Sequence, residues 1–146
     1  MRWRIDKNTR TDRGASAVEF ALVVIPLLMI IAGIVNFGLV FSQQLALDNS
    51  VRAGARAAVV DTGKDAVTVT TDQWNSTVIA KSQTSGFAVS YPSGAGSTCD
   101  GSDFGENLVV RGTVKASFLI PWPLPGSLVP KSVDLKSQAE FQCEYQ

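Results

Sequence analysis

Cys99 and Cys143 are the only two cysteines, and the chain has no histidine. A His-dependent triad, an imidazole metal ligand and an imidazole pH switch are thereby excluded. Two cysteines cannot supply a zinc-finger ligand set either. In an extracytoplasmic setting they can form a disulfide; the alternative is two unpaired thiols. Asp100, Asp103 and Glu106, in DGSDFGE, are oxygen donors of the kind calcium takes. Their spacing is not that of an EF-hand, and acids in a glycine-rich loop are ordinarily just solvated. Gly94-Ala95-Gly96 lacks the following lysine of a phosphate loop. Asn75-Ser76-Thr77 fits a glycosylation triplet, a pattern that also arises often by chance. No nucleophile has a base partner and no metal cluster appears, so the chain reads as a non-enzyme without cofactors. One constellation remains: Arg13-Gly14-Ala15-Ser16-Ala17-Val18-Glu19-Phe20 joins a basic segment, a glycine, small residues, a carboxylate and an aromatic ring.

The elements around that constellation follow from charge. The chain has 146 residues, with 13 basic and 13 acidic, so its net charge is zero. This balance argues against a nucleic-acid binder. Five basic residues (Arg2, Arg4, Lys7, Arg10, Arg13) fall within the first 14 positions, and Phe20 to Leu47 are 28 residues without a formal charge. Within them Ala21 to Phe41, ALVVIPLLMIIAGIVNFGLVF, carries Asn36 as its only polar side chain. As a helix this stretch runs about 31 Å, matching a hydrocarbon core of about 30 Å. It exceeds the apolar core of a signal peptide, and Ala53-Gly54-Ala55 lies too far downstream to serve as its cleavage site. The basic residues predict a cytoplasmic start by the positive-inside rule, with the chain beyond Leu47 outside the membrane. Pro26, Ala32, Gly33 and Gly38 suit either helix–helix approach or the general tolerance of membrane helices for glycine and proline.

Beyond Ser42, Leu47, Val51, Ala55 and Ala58 recur at helical spacing beside a polar stripe of Gln44, Asp48, Arg52 and Arg56, with Asp48 placed to pair with Arg52. One helix from near Ala17 to near Val60 is expected, its second half amphipathic and in need of a packing partner.

The segment RGASAVEFALVVIPLLMIIAGIVNFGLVF, with VRAGARAA after it, resembles the TadE-like minor pseudopilins of the tight-adherence (Flp) pilus, a type IV-like system. The resemblance covers Arg13 to about Val60 and fades beyond. It implies a leader of residues 1–14, cleavage between Gly14 and Ala15 by a prepilin peptidase at the cytoplasmic face, and a mature helix over 15–60. It also implies that Glu19, followed by Phe20, pairs with the free amino group of a neighbouring subunit. Such a pairing offsets a cost of about 3 kcal/mol for a carboxylate fully inserted in hydrocarbon. The alternative for Glu19 is a favourable macrodipole interaction in a first helical turn. Implied partners are the peptidase, other pilins and pseudopilins, the inner-membrane assembly platform and the lipid bilayer.

Residues 61–146 form the expected extracytoplasmic domain. DTGK at 61–64 breaks the long helix, and Ala66–Thr70 reads as a short strand or extended linker. Thr70 with Gln73 suggests a capping box opening a helix, Trp74 and Val78 share a face, and Gly86 marks its stop. Phe87–Tyr91 reads as a strand. Leu108, Val110, Val114, Ala116 and Phe118 alternate with polar residues, as do Val133, Leu135, Ala139, Phe141, Cys143 and Tyr145. Period two predicts antiparallel strands, joined through Pro121-Trp122-Pro123-Leu124-Pro125-Gly126. Trp122 reads as a loop anchor or an exposed contact point. Cys99 in the polar loop and Cys143 on the buried face are the expected bridge.

The expected architecture is α+β and pilin-like: a long N-terminal helix, transmembrane first and amphipathic after, packed on a small antiparallel sheet. The expected role is a minor pseudopilin, processed and then active in assembly or initiation of a tight-adherence pilus. Its expected place is single-pass in the inner (cytoplasmic) membrane, with entry into the pilus as a further stage and adhesion as the outcome. The competing reading is a single-pass membrane-anchored binding or regulatory protein that is never processed.

Overall fold

The computed structural model describes residues 9–60, 64–77, 85–91, 99, 105–120 and 130–143. Helix α1 (Thr9–Val59) leads into helix α2 (Ala66–Thr77), then strands β1 (Ser85–Ser90), β2 (Asn107–Ser117) and β3 (Ser132–Gln142). The strands form one antiparallel sheet in the order β1-β2-β3. This is an α+β, pilin-like arrangement of one long helix on a small sheet.

At 51 residues, α1 begins earlier than the expected start near Ala17 and passes through Gly14 unbroken. Residues 9–13 hold no proline, and one interior glycine costs about 1 kcal/mol, which a helix of this length absorbs. Pro26 also sits inside α1.

The second half of α1 behaves as its periodicity predicts. Leu47, Val51 and Ala55 are fully buried and Ala58 nearly so. They pack against Leu108, Val110, Val114 and Ala116 of β2, Leu135 and Ala139 of β3, and Ala66 and Trp74 of α2. Strands of period two place those residues on one face, and the register sets Val110 opposite Ala139 and Val114 opposite Leu135. The other face is polar, where Arg111 Nε donates to Gln138 Oε1 at 3.2 Å and Asn107 Nδ2 to Glu140 Oε1 at 2.8 Å. On the α1 polar stripe, Gln44 Nε2 donates to both Asp48 Oδ1 and the Lys136 carbonyl, each at 3.1 Å. That bond links α1 to β3.

Two glycines fix how closely the layers approach. A Cβ on Gly112 would lie 2.8 Å from Leu47 Cδ1 and 2.9 Å from Val51 Cγ2, so α1 crosses the sheet directly over this bare backbone. A Cβ on Gly54 would overlap the Thr70 hydroxyl and stand 2.8 Å from the Ala66 carbonyl, so α1 and α2 touch there. Thr70 satisfies its buried hydroxyl by donating to the Ala66 carbonyl at 2.7 Å.

The middle of the chain departs from the sequence reading. Ala66–Thr70 is the first part of α2, not a strand or linker, and the helix does not open at Thr70. Asp65 is the cap: its Oδ2 accepts from the Thr68 N–H at 3.0 Å and the Thr68 hydroxyl at 3.2 Å. The alternation Val67-Thr68-Val69-Thr70 imitates a strand, yet Ala66, Thr70 and Trp74 share the buried face at helical spacing. Gly86 is no helix stop; it lies in β1, opposite Thr113 of β2. Val78, Tyr145 and the 121–126 loop with Trp122 lie outside the described residues.

Candidate functional site

The first half of α1 has the composition of a core and the exposure of a surface. Val18, Phe20, Leu22, Val23, Ile25, Leu27, Leu28, Ile30, Ile31, Ile34 and Phe37 are all exposed, Phe20 by 70% and Phe37 by 72%. The most apolar 18-residue window in α1 has a mean hydropathy of 2.7, with only 6% of it buried. In water such a surface would be unstable, whereas in hydrocarbon it is matched to its solvent. An α-helix closes its backbone hydrogen bonds internally, the condition for crossing a bilayer, with one bond missing at Pro26, which has no N–H. Helix α1 is long and apolar enough to do so.

Gly14, Ala15, Glu19 and Phe20 lie near the start of this half, on exposed helix. Nothing stands within 4 Å of where a Gly14 Cβ would be. Among the described residues, the space beside Gly14 is therefore open, although its backbone is helical. Glu19 and Phe20 are one turn further on. Gly38 is equally open, and Phe37 and Phe41 stack with ring centroids 6.3 Å apart.

Exposure ends on one face at Ala32 and Asn36, which are 8% and 2% exposed. The Asn36 carboxamide is paired twice with one residue: Nδ2 donates to the Ile120 carbonyl at 2.9 Å, and the Ile120 N–H donates to Oδ1 at 3.0 Å. Asn36 thus imitates the edge of a strand and clasps the chain just beyond β2. Sequence reasoning noted Asn36 only as the one polar residue of the span. The available signal was its cost in an apolar environment, which demands a partner.

At the other end of the sheet, Cys99 and Cys143 form the disulfide, with Cα atoms 5.6 Å apart and 44 residues of separation. The Cys143 N–H continues the ladder to the Glu106 carbonyl at 2.9 Å. In the chain-entropy account, closing a loop of this size stabilises by about 4 kcal/mol. Asp100 and Asp103 lie outside the described residues. Among the described residues no group of three or more acidic or cysteine side chains has a metal-holding arrangement. Asn75 and Ser76 are exposed near the end of α2, and Ser76 donates to the Gln73 carbonyl at 2.8 Å.

Fold and exposure together define a class: a pilin-like α+β protein whose first helix carries both an apolar face fit for a membrane and a packed face for its own sheet. Residues 14–56 match the family model described as TadE-like protein, so that segment of the chain is similar to this family. The match begins at Gly14 and ends in the packed half of α1, so it spans both faces. No curated protein and no solved structure matches the chain.

Proposed function

We propose that the protein is a minor pseudopilin of a tight-adherence pilus, made with a cytoplasmic leader of residues 1–14. A prepilin peptidase cuts between Gly14 and Ala15, leaving α1 in the inner membrane over about 21–41 and residues 61–146 on the extracytoplasmic side. The observation that carries this reading is the match over 14–56, whose first residue is the proposed scissile glycine. The apolar half of α1 supports it, being continuous with that site and largely exposed among the described residues.

In this reading the apolar helix packs with those of other pilins, and the assembly platform draws the subunit into place. Glu19 becomes the fifth residue of the processed chain, where a neighbour's amino group neutralises it. The sheet supplies the contacts peculiar to this subunit. Such a role is non-enzymatic and requires no cofactor.

The test is the N-terminal sequence and intact mass of the protein from membranes that contain its own peptidase, beside a Gly14→Arg variant. A start at Ala15 in the native protein, lost in the variant, is the expected result. An intact leader in both, with the peptidase active on another pilin, would make α1 a plain tether for an unprocessed binding or regulatory domain.

A further inference from the structure

The chain just past β2 lies against a part of α1 where water is not expected. Pairing continues one step past the strands, with the Phe118 N–H donating to the Lys131 carbonyl at 3.2 Å. Two residues later, Ile120 is clasped by Asn36 through both backbone groups. Asn36 stands five residues before Phe41, the last residue of the apolar run, so the clasp lies about 7–8 Å inside the end of that run. Ser42, Gln43 and Gln44, the first polar residues, come after it.

The residues at this depth suit hydrocarbon. Leu119 is exposed by 66%, Ile120 is half-buried, and Phe37, next to Asn36 on α1, is exposed. The sequence that follows Ile120 is Pro121-Trp122-Pro123-Leu124-Pro125, with no charge. Lys131, on the returning side, is exposed where pairing resumes toward the sheet. Exposed Leu119 and half-buried Ile120, with an exposed cation across from Phe118, are the arrangement of a segment at an interface, where a lysine can reach lipid phosphates.

We propose that the chain just past β2, at Leu119 and Ile120, is a second membrane contact, latched by Asn36 so that these two residues enter the outer hydrocarbon of the leaflet facing the domain. The inference rests on α1 spanning a bilayer. The latch explains why a costly amide stands inside an otherwise apolar run. Its two hydrogen bonds satisfy the amide and also the Ile120 backbone, which in lipid has no water to turn to.

The full chain, reconstituted in phosphatidylcholine–phosphatidylglycerol vesicles with its disulfide intact, carries one environment-sensitive fluorophore on a single added thiol: Leu119→Cys, Ile30→Cys or Thr113→Cys. Quenching by spin-labelled lipid and by aqueous iodide is read for each. The expected result has position 119 grouped with 30, quenched by lipid and shielded from iodide, and position 113 the reverse. In Leu119→Cys/Asn36→Leu, lipid quenching at 119 falls while Asn36→Leu leaves that at 30 unchanged. Position 119 open to iodide while 30 stays in lipid would overturn the proposal and leave the spanning helix standing. Shielding of 119 from both quenchers would also overturn it, placing protein over the loop. Iodide access at 30 would remove the spanning reading itself, and this proposal with it.

Discussion

The two halves of α1 share one backbone and almost nothing else. From Val18 to Phe41 most of the large side chains are exposed, with Val40 packing on the core near the end, whereas from Ala46 to Ala58 small and medium apolar residues vanish beneath a sheet and a second helix. The outward half is rich in Ile, Leu and Phe, and the inward half in alanine. Bulk serves where the neighbour is fluid and adapts to it. Smallness serves where the neighbour is a fixed surface that must come close, as at Gly54 beside Thr70. Hydrophobicity alone therefore does not say which half belongs to the fold.

Leucine truncation gives the largest separation between the halves. Leu47→Ala is expected to cost the domain about 2–5 kcal/mol, because a fully buried side chain leaves a cavity between helix and sheet. Leu22→Ala, at an exposed position, is expected to change the same denaturation midpoint by less than about 0.5 kcal/mol. Both are read by denaturant titration of the detergent-solubilised protein, following near-UV circular dichroism. Equal losses would mean that the outward half is folded against the domain.

Glycine replacement sharpens the contrast with a smaller effect. Gly54→Ala is expected to destabilise by about 1–3 kcal/mol, since the new methyl meets Thr70 and the Ala66 backbone. Gly38→Ala finds open space, so it is expected to leave the domain unchanged or gain up to about 1 kcal/mol of helix propensity. Thermal melts of the two variants side by side would show opposite signs or one near zero.

The smallest effect belongs to the packed region alone and appears only in alkali. Burial, and secondarily the Asp65 charge, raise the Tyr91 phenol above its ordinary value of 10.0. The unfolded chain then loses that proton first, so Tyr91's contribution is intact below pH 10.0 and is lost as pH climbs through the raised value. Tyr91→Phe should accordingly flatten the decline in stability above that pH, measured as midpoint against pH, with no change at neutrality.

The strands and the long helix were legible because their periods are clean. Leu108 to Ala116 and Val133 to Cys143 alternate over a length that no helix would tolerate, and Leu47, Val51, Ala55 and Ala58 repeat as one helical face. Both strands and that face are found where the pattern places them. Helix α2 was misread because Val67-Thr68-Val69-Thr70 has strand-like residues, while the deciding signal was the single carboxylate of Asp65 before them. Gly112 could not be read at all, and for Asn36 only the need of a partner was legible, not which one. What each does depends on a residue far along the chain, Leu47 for one and Ile120 for the other.

The exposed apolar end and the sheet end of α1 are parts of one unbroken helix, which spans a bilayer in the function proposed, with no proline between Phe41 and Val59. That stretch is a lever arm about 27 Å long, bolted to the sheet along its side. A tilt of about 10° in the bilayer swings its far end sideways by about 5 Å, by the same geometry. Whatever sets the angle of the span, whether lipid thickness or a neighbouring helix, also aims the domain.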